Sequence, residues 1–258
     1  MLNIKSTRRI KPPRCIIYGA GGIGKSTIAA QSPGALFFQT EDGLANVNAV
    51  SAGIFTTYTD FVTALSEFIA HIDDFKQFKT VVVDSLDWLE RIIWEHVAQE
   101  NKVTSIEKIA YGRGYMFALS YFQTVLCMLD EINKAGRAVL LLCHSRAETS
   151  GDPDAPDVKK NDLKLHKTSK ALVVEWADAV LYATRLRGTA RGEASPRVLR
   201  VNDSATYFAK TRYTVPDPCP FSILEYFNAV AADQRRAADD FDAVTTPATG
   251  EGDKTNDA

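Results

Sequence analysis

Short apolar runs alternate with longer amphipathic stretches along most of the chain. The runs Cys15–Tyr18, Ala35–Gln39, Thr80–Asp84 and Arg137–Cys143 have the length and the near-continuous apolar character of buried strands. Between them the apolar residues space out at three and four. A helical run leaves the first strand from about Lys25 to Gln31. Residues 60–75 place Phe61, Leu65, Phe68, Ile69 and Ile72 on one face, and Leu86, Leu89, Ile93 and Val97 line the next helix. A further long helix is predicted over 115–134. Strand and helix in regular alternation predict an α/β fold, a mainly parallel central sheet with helices on both faces.

The pattern changes after residue 147. From Glu148 to Lys170 the chain is polar, with Gly151, Pro153 and Pro156 followed by Lys159, Lys160, Lys164, Lys167 and Lys170. A loop this long inside a compact domain is functional or mobile. Order resumes at Leu172–Trp176. Strand-like segments follow at Ala179–Leu186, Arg197–Val201 and roughly Tyr207–Tyr213, and Phe221–Ala231 reads as a last helix. Short turns between these later strands predict an antiparallel C-terminal extension of the sheet. No internal repeat is visible. The expected organisation is one domain over 1–232 and an acidic, disordered tail over 233–258.

Composition changes this picture in three places. The chain has 258 residues, enough for one large α/β core. Its formal charge of −2 hides an asymmetry. From Ala237 onward Asp239, Asp240, Asp242, Glu251, Asp253 and Asp257 face Lys254 alone, which leaves the body mildly basic. The four cysteines, Cys15, Cys127, Cys143 and Cys219, form no C-x-x-C pair, so reduced, buried thiols are expected rather than a disulfide framework or a zinc site. No apolar run approaches membrane-spanning length and no signal-peptide core precedes residue 19, so a cytoplasmic protein is expected.

The chemistry concentrates at Gly19-Ala20-Gly21-Gly22-Ile23-Gly24-Lys25-Ser26, followed by Thr27. This fits G-x-x-x-x-G-K-[ST] between a strand and a helix. Glycines let successive N–H groups converge on one anion, and the helix directs its positive end at the same point. In such a loop Lys25 reaches the β- and γ-phosphates of a nucleoside triphosphate, and Ser26 places its hydroxyl on Mg²⁺. Asp84 ends a β-branched run at the strand's carboxyl edge, where it completes the metal site with Ser26. Glu41 ends the strand after the phosphate loop. It reads either as the group that orients and deprotonates water or as part of a polar Glu41-Asp42-Gly43 turn. His144 ends the fourth run at the same edge. It reads as a contact to the γ-phosphate or as the satisfied partner of a core group.

Taken in order, these motifs resemble the RecA superfamily of recombination ATPases over roughly residues 12–225. Leu36–Leu44 resembles the strand that ends in that family's catalytic glutamate. Val81-Val82-Val83-Asp84-Ser85 resembles its metal-site strand, and Leu140–Arg146 the strand presenting a phosphate-sensing residue, usually Gln, here His144. The resemblance implies a RecA-like P-loop fold that binds ATP with Mg²⁺ and hydrolyses it, with Glu41, Lys25 and His144 as catalytic residues. It places the lysine-rich segment where the family has a mobile loop on single-stranded DNA, and a second loop around Lys108–Tyr115. Arg113, Lys159, Lys160, Lys164 and Lys167 are then DNA-binding candidates. Tyr111 and Tyr115 flank Arg113 and serve either as stacking faces or in ordinary packing. Lys210 and Arg212 resemble a basic pair that reaches the nucleotide of a neighbouring subunit. In size and texture the chain is most similar to compact phage-encoded members that act in recombination and single-strand annealing. Those imply a ring or filament of identical copies, single-stranded DNA and a single-stranded DNA-binding protein as partners.

Two rivals have distinct signatures. Partition-type ATPases carry a lysine just after the first glycine of the loop, where this chain has Ala20. A nucleotide-gated DNA-binding protein with little turnover would share every motif except a working base at Glu41.

Overall fold

The structure is a computed structural model and describes residues 10–149, 159–186 and 195–245. Six strands run parallel in the order β7-β1-β5-β4-β2-β3: Ala179–Arg185 (β7), Arg14–Gly19 (β1), Ala138–Thr149 (β5), Thr80–Asp84 (β4), Ala35–Gln39 (β2) and Val50–Ile54 (β3). Arg197–Arg200 (β8) joins β7 antiparallel, and Cys219–Pro220 (β10) joins β8 in turn. Lys210–Thr211 (β9) pairs with the start of β7, and Lys159–Leu163 (β6) folds back on the end of β5. The sheet is mainly parallel with an antiparallel C-terminal extension, as the pattern predicts.

Both faces are covered because the strands are apolar at odd and even positions alike. Ile16, Tyr18, Phe38, Val81, Val83 and Leu141 point to one core. There they meet Tyr58–Ala70 (α2), Leu86–Glu100 (α3), Arg113–Lys134 (α4) and Lys167–Trp176 (α5). Their neighbours Cys15, Ile17, Phe37, Val82 and Leu140 point to the other core, under Lys25–Ala29 (α1) and Ile223–Thr245 (α6). Thr57 caps α2 by accepting from the Asp60 N–H at 3.2 Å, which starts the helix where the apolar spacing begins. Phe61, Leu65 and Phe68 are its buried stripe. Truncating a fully buried ring such as Phe61 would cost about 3–5 kcal/mol.

Several expectations need correction. The polar Glu148–Lys170 segment is not one open loop: Lys159–Leu163 forms β6, and α5 begins at Lys167. Two ion pairs give it order, Lys160 to Asp203 at 3.0 Å and Lys170 to Asp162, whose carboxylate is almost fully buried. Residues 150–158 lie outside the described residues. The last helix does not stop at Ala231, and α6 continues to Thr245 through Ala-rich sequence of high helix propensity. The first part of the expected tail is therefore helical, and 246–258 lie outside the described residues. The apolar pattern missed β3, whose Val50 and Ile54 are exposed at the sheet edge and separated by Ser51, Ala52 and Gly53. The Tyr207–Tyr213 strand shrinks to Lys210–Thr211. Cys15, Cys143 and Cys219 are free and buried as expected, but Cys127 is exposed on α4. Among the described residues, no helix is long and apolar enough to cross a membrane.

Candidate nucleotide site

The carboxyl ends of β1, β2 and β4 meet the start of α1, as phosphate sites do in parallel α/β sheets, and His144 lies level with Gly19 but does not end its strand, because β5 runs on to Thr149. A cavity of about 310 Å³ opens there, lined by Gly22, Gly24, Lys25, Ser26, Thr27, Glu41, Gly43, Val47, Asp84 and His144. Every catalytic and metal residue expected from the sequence thus reaches one space. Of the loop, Gly22, Gly24, Lys25, Ser26 and Thr27 line it. Gly24 takes φ 103° at the N-cap of α1, a left-handed conformation that side chains rarely adopt.

The cavity holds two buried charges, Lys25 and Asp84, beside the partly exposed Glu41 and His144. The Lys25 ammonium donates to the carbonyls of Gly19 and Ala20, each at 3.2 Å. Burial pulls its pKa down, against the opposing pull of Asp84. The Ser26 hydroxyl donates to Asp84 Oδ2 at 2.7 Å. Burial raises the Asp84 carboxyl, the Ser26 bond lowers it, and nearby Glu41 raises it further. This hydroxyl–carboxylate pair fits Mg²⁺, which is held by one or two carboxylates together with substrate phosphates. Among the described residues no cluster of three or more His, Cys, Asp and Glu forms an all-protein metal cage. When bound, the ion would neutralise charge on the phosphates.

Glu41 and His144 face each other across the cavity, with Glu41 Oε1 4.0 Å from His144 Nδ1. The Ser85 hydroxyl donates to the same Glu41 oxygen at 2.8 Å. Glu41 is thus a braced carboxylate and not a loose turn residue. His144 has a core partner as well as a place in the cavity, since Nδ1 lies 3.1 and 3.0 Å from the two oxygens of Asp87. Burial would raise Asp87, yet the hydrogen bonds and charge of His144 hold it at about 2.

The remaining candidates divide. β6 and the residues after it bring Lys159, Lys160 and Lys164 to the same carboxyl edge, where the Lys164 N–H donates to the His144 carbonyl at 2.9 Å. Lys159, Lys164 and Lys167 are exposed. Arg113 begins α4 with its guanidinium 5.5 Å from the Phe117 ring centre. Tyr111 is 98 % exposed, but Tyr115 is stacked on His166 with ring centres 4.3 Å apart, so for Tyr115 the packing reading holds. Lys210 and Arg212 are not brought to the cavity. β9 pairs with Ala179 and Val180, level with the start of β1, which is the opposite edge of the sheet. There Lys210 donates to the carbonyls of Val174 and Ala177 at 2.7 and 3.2 Å, closing the end of α5. Arg212 bonds Asp178 at 3.1 Å.

Sequence reasoning missed Ser85, Asp87 and Arg197. The Arg197 guanidinium donates to the Ile23 carbonyl at 3.2 Å and lies 4.7 Å from the Phe221 ring centre, bracing the outside of the phosphate loop. Ser85 belonged to a motif already in view, whereas Asp87 and Arg197 carry no local signal and are assembled by tertiary contacts.

No curated protein matches the chain in sequence. Among solved structures it is similar to the RadB recombinase, at 15 % identity and a TM-score of 0.44, over 74 % of this chain and 80 % of that one. It is also similar to a KaiC-like protein from the hyperthermophilic archaeon Pyrococcus horikoshii OT3, at 12 % identity and a TM-score of 0.41, over 81 % and 84 %. The family model described as AAA domain matches residues 11–213, from just before β1 through the C-terminal extension. The chain belongs to this AAA domain family.

Proposed function

We propose that this protein is a Mg²⁺-dependent ATPase that acts on single-stranded DNA in recombination, annealing or repair, in a phage setting. The observation that carries the ATPase part is the convergence of Lys25, the Ser26–Asp84 pair, Glu41 and His144 on one cavity. Lys25 and the loop N–H groups hold the phosphates, and Ser26 and Asp84 hold the metal. Glu41, kept in place by Ser85, orients and deprotonates water, and His144 touches the γ-phosphate. The DNA part rests on Lys159 and Lys160 along β6, on Lys164 beside His144 and on the exposed Tyr111 next to Arg113. An exposed aromatic beside cations suits stacked bases and phosphates.

Steady-state hydrolysis of ATP, with and without single-stranded DNA, tests this. Turnover is expected that rises with DNA, vanishes in Lys25→Ala and falls about 10²–10⁴-fold in Glu41→Gln with ATP binding retained. Turnover unchanged in Glu41→Gln would remove Glu41 from its role.

A second reading, a nucleotide-gated assembly with little turnover, is favoured by one observation. Lys210 and Arg212 are committed to the end of α5 and to Asp178. Completing a neighbouring copy's site would require them to leave those bonds. If they do so in a ring or filament, their replacement abolishes hydrolysis and leaves ATP binding to the single protomer intact.

A further inference from the structure

Asp87 stands three residues after Asp84, in the first turn of α3, and its side chain is only 3 % exposed. Both its oxygens face His144. Nδ1 lies 3.1 Å from Oδ1 and 3.0 Å from Oδ2, and the backbone N–H of His144 also donates to Oδ1, at 3.2 Å. The Lys164 ammonium lies 3.7 Å from Oδ2. An acid in the first turn of a helix is ordinary where it is exposed and serves the helix dipole. A buried carboxylate that grips the ring and the backbone of one residue has a more specific task. That residue, His144, lines the cavity and stands 4.0 Å from Glu41.

We propose that Asp87 is a positioning residue, which holds His144 with Nδ1–H on the carboxylate and Nε2 free to meet the terminal phosphate of a bound nucleoside triphosphate. This rests on the reading of His144 as the γ-phosphate contact. A carboxylate on one ring nitrogen fixes the rotation of the imidazole and selects which nitrogen is left to work. To donate to a phosphate oxygen, Nε2 must carry a proton while Nδ1 keeps its own. Asn at position 87 keeps the shape but not the charge, and its NH₂ group can turn toward Nδ1. An amide side chain at position 144 would need no carboxylate behind it. Asp87 therefore matters to nucleotide recognition only while position 144 is His.

The test is a double-mutant cycle read as nucleotide preference. Affinities for a non-hydrolysable ATP analogue and for ADP, both with Mg²⁺, are measured for the unaltered protein, Asp87→Asn, His144→Gln and the double variant. Asp87→Asn should lose about tenfold of the preference for the triphosphate while ADP affinity stays within about twofold. The double variant should lose no more than His144→Gln alone. An equal loss for both nucleotides, or a full Asp87→Asn effect in the His144→Gln background, overturns the proposal as a purely structural role. Should Asp87→Asn fail to fold, Asp87→Glu displaces the carboxylate by one methylene. It should lower the triphosphate preference several-fold, and an unchanged preference overturns the proposal. Lys25-dependent binding with no Asp87 effect sinks this inference alone. Absence of any nucleotide binding sinks the ATPase reading with it.

Discussion

Asp84→Asn should make the nucleotide-free protein more stable and the nucleotide-bound protein less so. Asp84 is 4 % exposed, and burial together with Glu41 raises its carboxyl against the Ser26 bond and Lys25. A carboxyl that holds its proton more tightly folded than unfolded stabilises the fold in acid. That contribution is lost as the pH rises through the folded pKa, and at pH 7 the ionised group weighs against folding. Asn keeps the shape and the bond to Ser26 at 2.7 Å without the charge. Relieving such a site is worth roughly 0.5–2 kcal/mol, or about 1–8 °C in melting temperature for a domain of this size. Mg²⁺–ATP at a hundred times its Kd should stabilise the unaltered protein by about 2.7 kcal/mol. The variant, lacking its metal carboxylate, should gain far less, so the order of melting temperatures inverts. Thermal unfolding by circular dichroism, with and without Mg²⁺–ATP at pH 7 and pH 5, reads both effects. The ligand-free advantage should shrink at pH 5. A variant that melts more than about 2 °C lower without ligand, or shifts equally with it, refutes the reasoning.

Three further outcomes are expected. Asp178 accepts from the Arg14 N–H at 3.1 Å, Arg14 Nε at 3.2 Å, Arg14 Nη2 at 3.0 Å and Arg212 Nη1 at 3.1 Å. Asp178→Ala should destabilise by about 3–5 kcal/mol in denaturant melts. Although burial alone would raise Asp178, the Arg14 bonds hold it low, so its contribution is present above the usual carboxylate range and is lost as the pH falls below it; the variant's acid unfolding should therefore be flatter. At Gly34, with φ +51°, an added Cβ would stand 2.0 Å from the Gln77 carbonyl oxygen, so Gly34→Ala should lose at least about 2 kcal/mol in the same melts. Neutralising Lys159, Lys160 and Lys164 should flatten the salt dependence of single-stranded DNA affinity by roughly 0.7 in slope for each phosphate contact removed, and an unchanged slope would place those lysines off the path.

The parts of the fold that could be read from the sequence are those whose signal is local. Strands apolar on both faces, such as Val81–Val83, announce themselves whatever packs on them. The phosphate loop, Asp84, Glu41 and His144 could be grouped from the sequence because each follows or ends an apolar run, and the ends of such runs meet at one edge of a parallel sheet, although β5 itself continues past His144 to Thr149. β3 was not legible, because its exposed Val50 and Ile54 are parted by Ser51, Ala52 and Gly53 and make no apolar run. Nor was β6, whose Lys160 reads as loop until Asp203, 43 residues on, pairs with it, nor the start of α5, where Lys170 pairs with Asp162. Lys210 and Arg212 show what motif matching leaves out. The resemblance picked out a basic pair for a neighbouring copy's nucleotide, and it gave no sign of the partners the pair has within its own protomer, the last carbonyls of α5 and Asp178 at the opposite edge.

α3 joins the nucleotide cavity to the lysine-bearing segment through its own periodicity. It begins immediately after Asp84 and Ser85, and residues three apart on a helix share a face. Asp87 takes His144 and lies near Lys164, and one turn on Glu90, 4 % exposed, accepts the backbone N–H of His166 at 3.1 and 3.0 Å. His166 in turn caps α5 and stacks on Tyr115 of α4. Two buried carboxylates of one helix therefore fix both the residue facing the cavity and the start of the element that follows the lysines. Neither carboxylate can give up its partner cheaply, because an unpaired buried charge is among the most destabilising groups a fold can hold. The Asp87 carboxylate thus stands between His144, which lines the cavity, and Lys164, which is exposed at the surface.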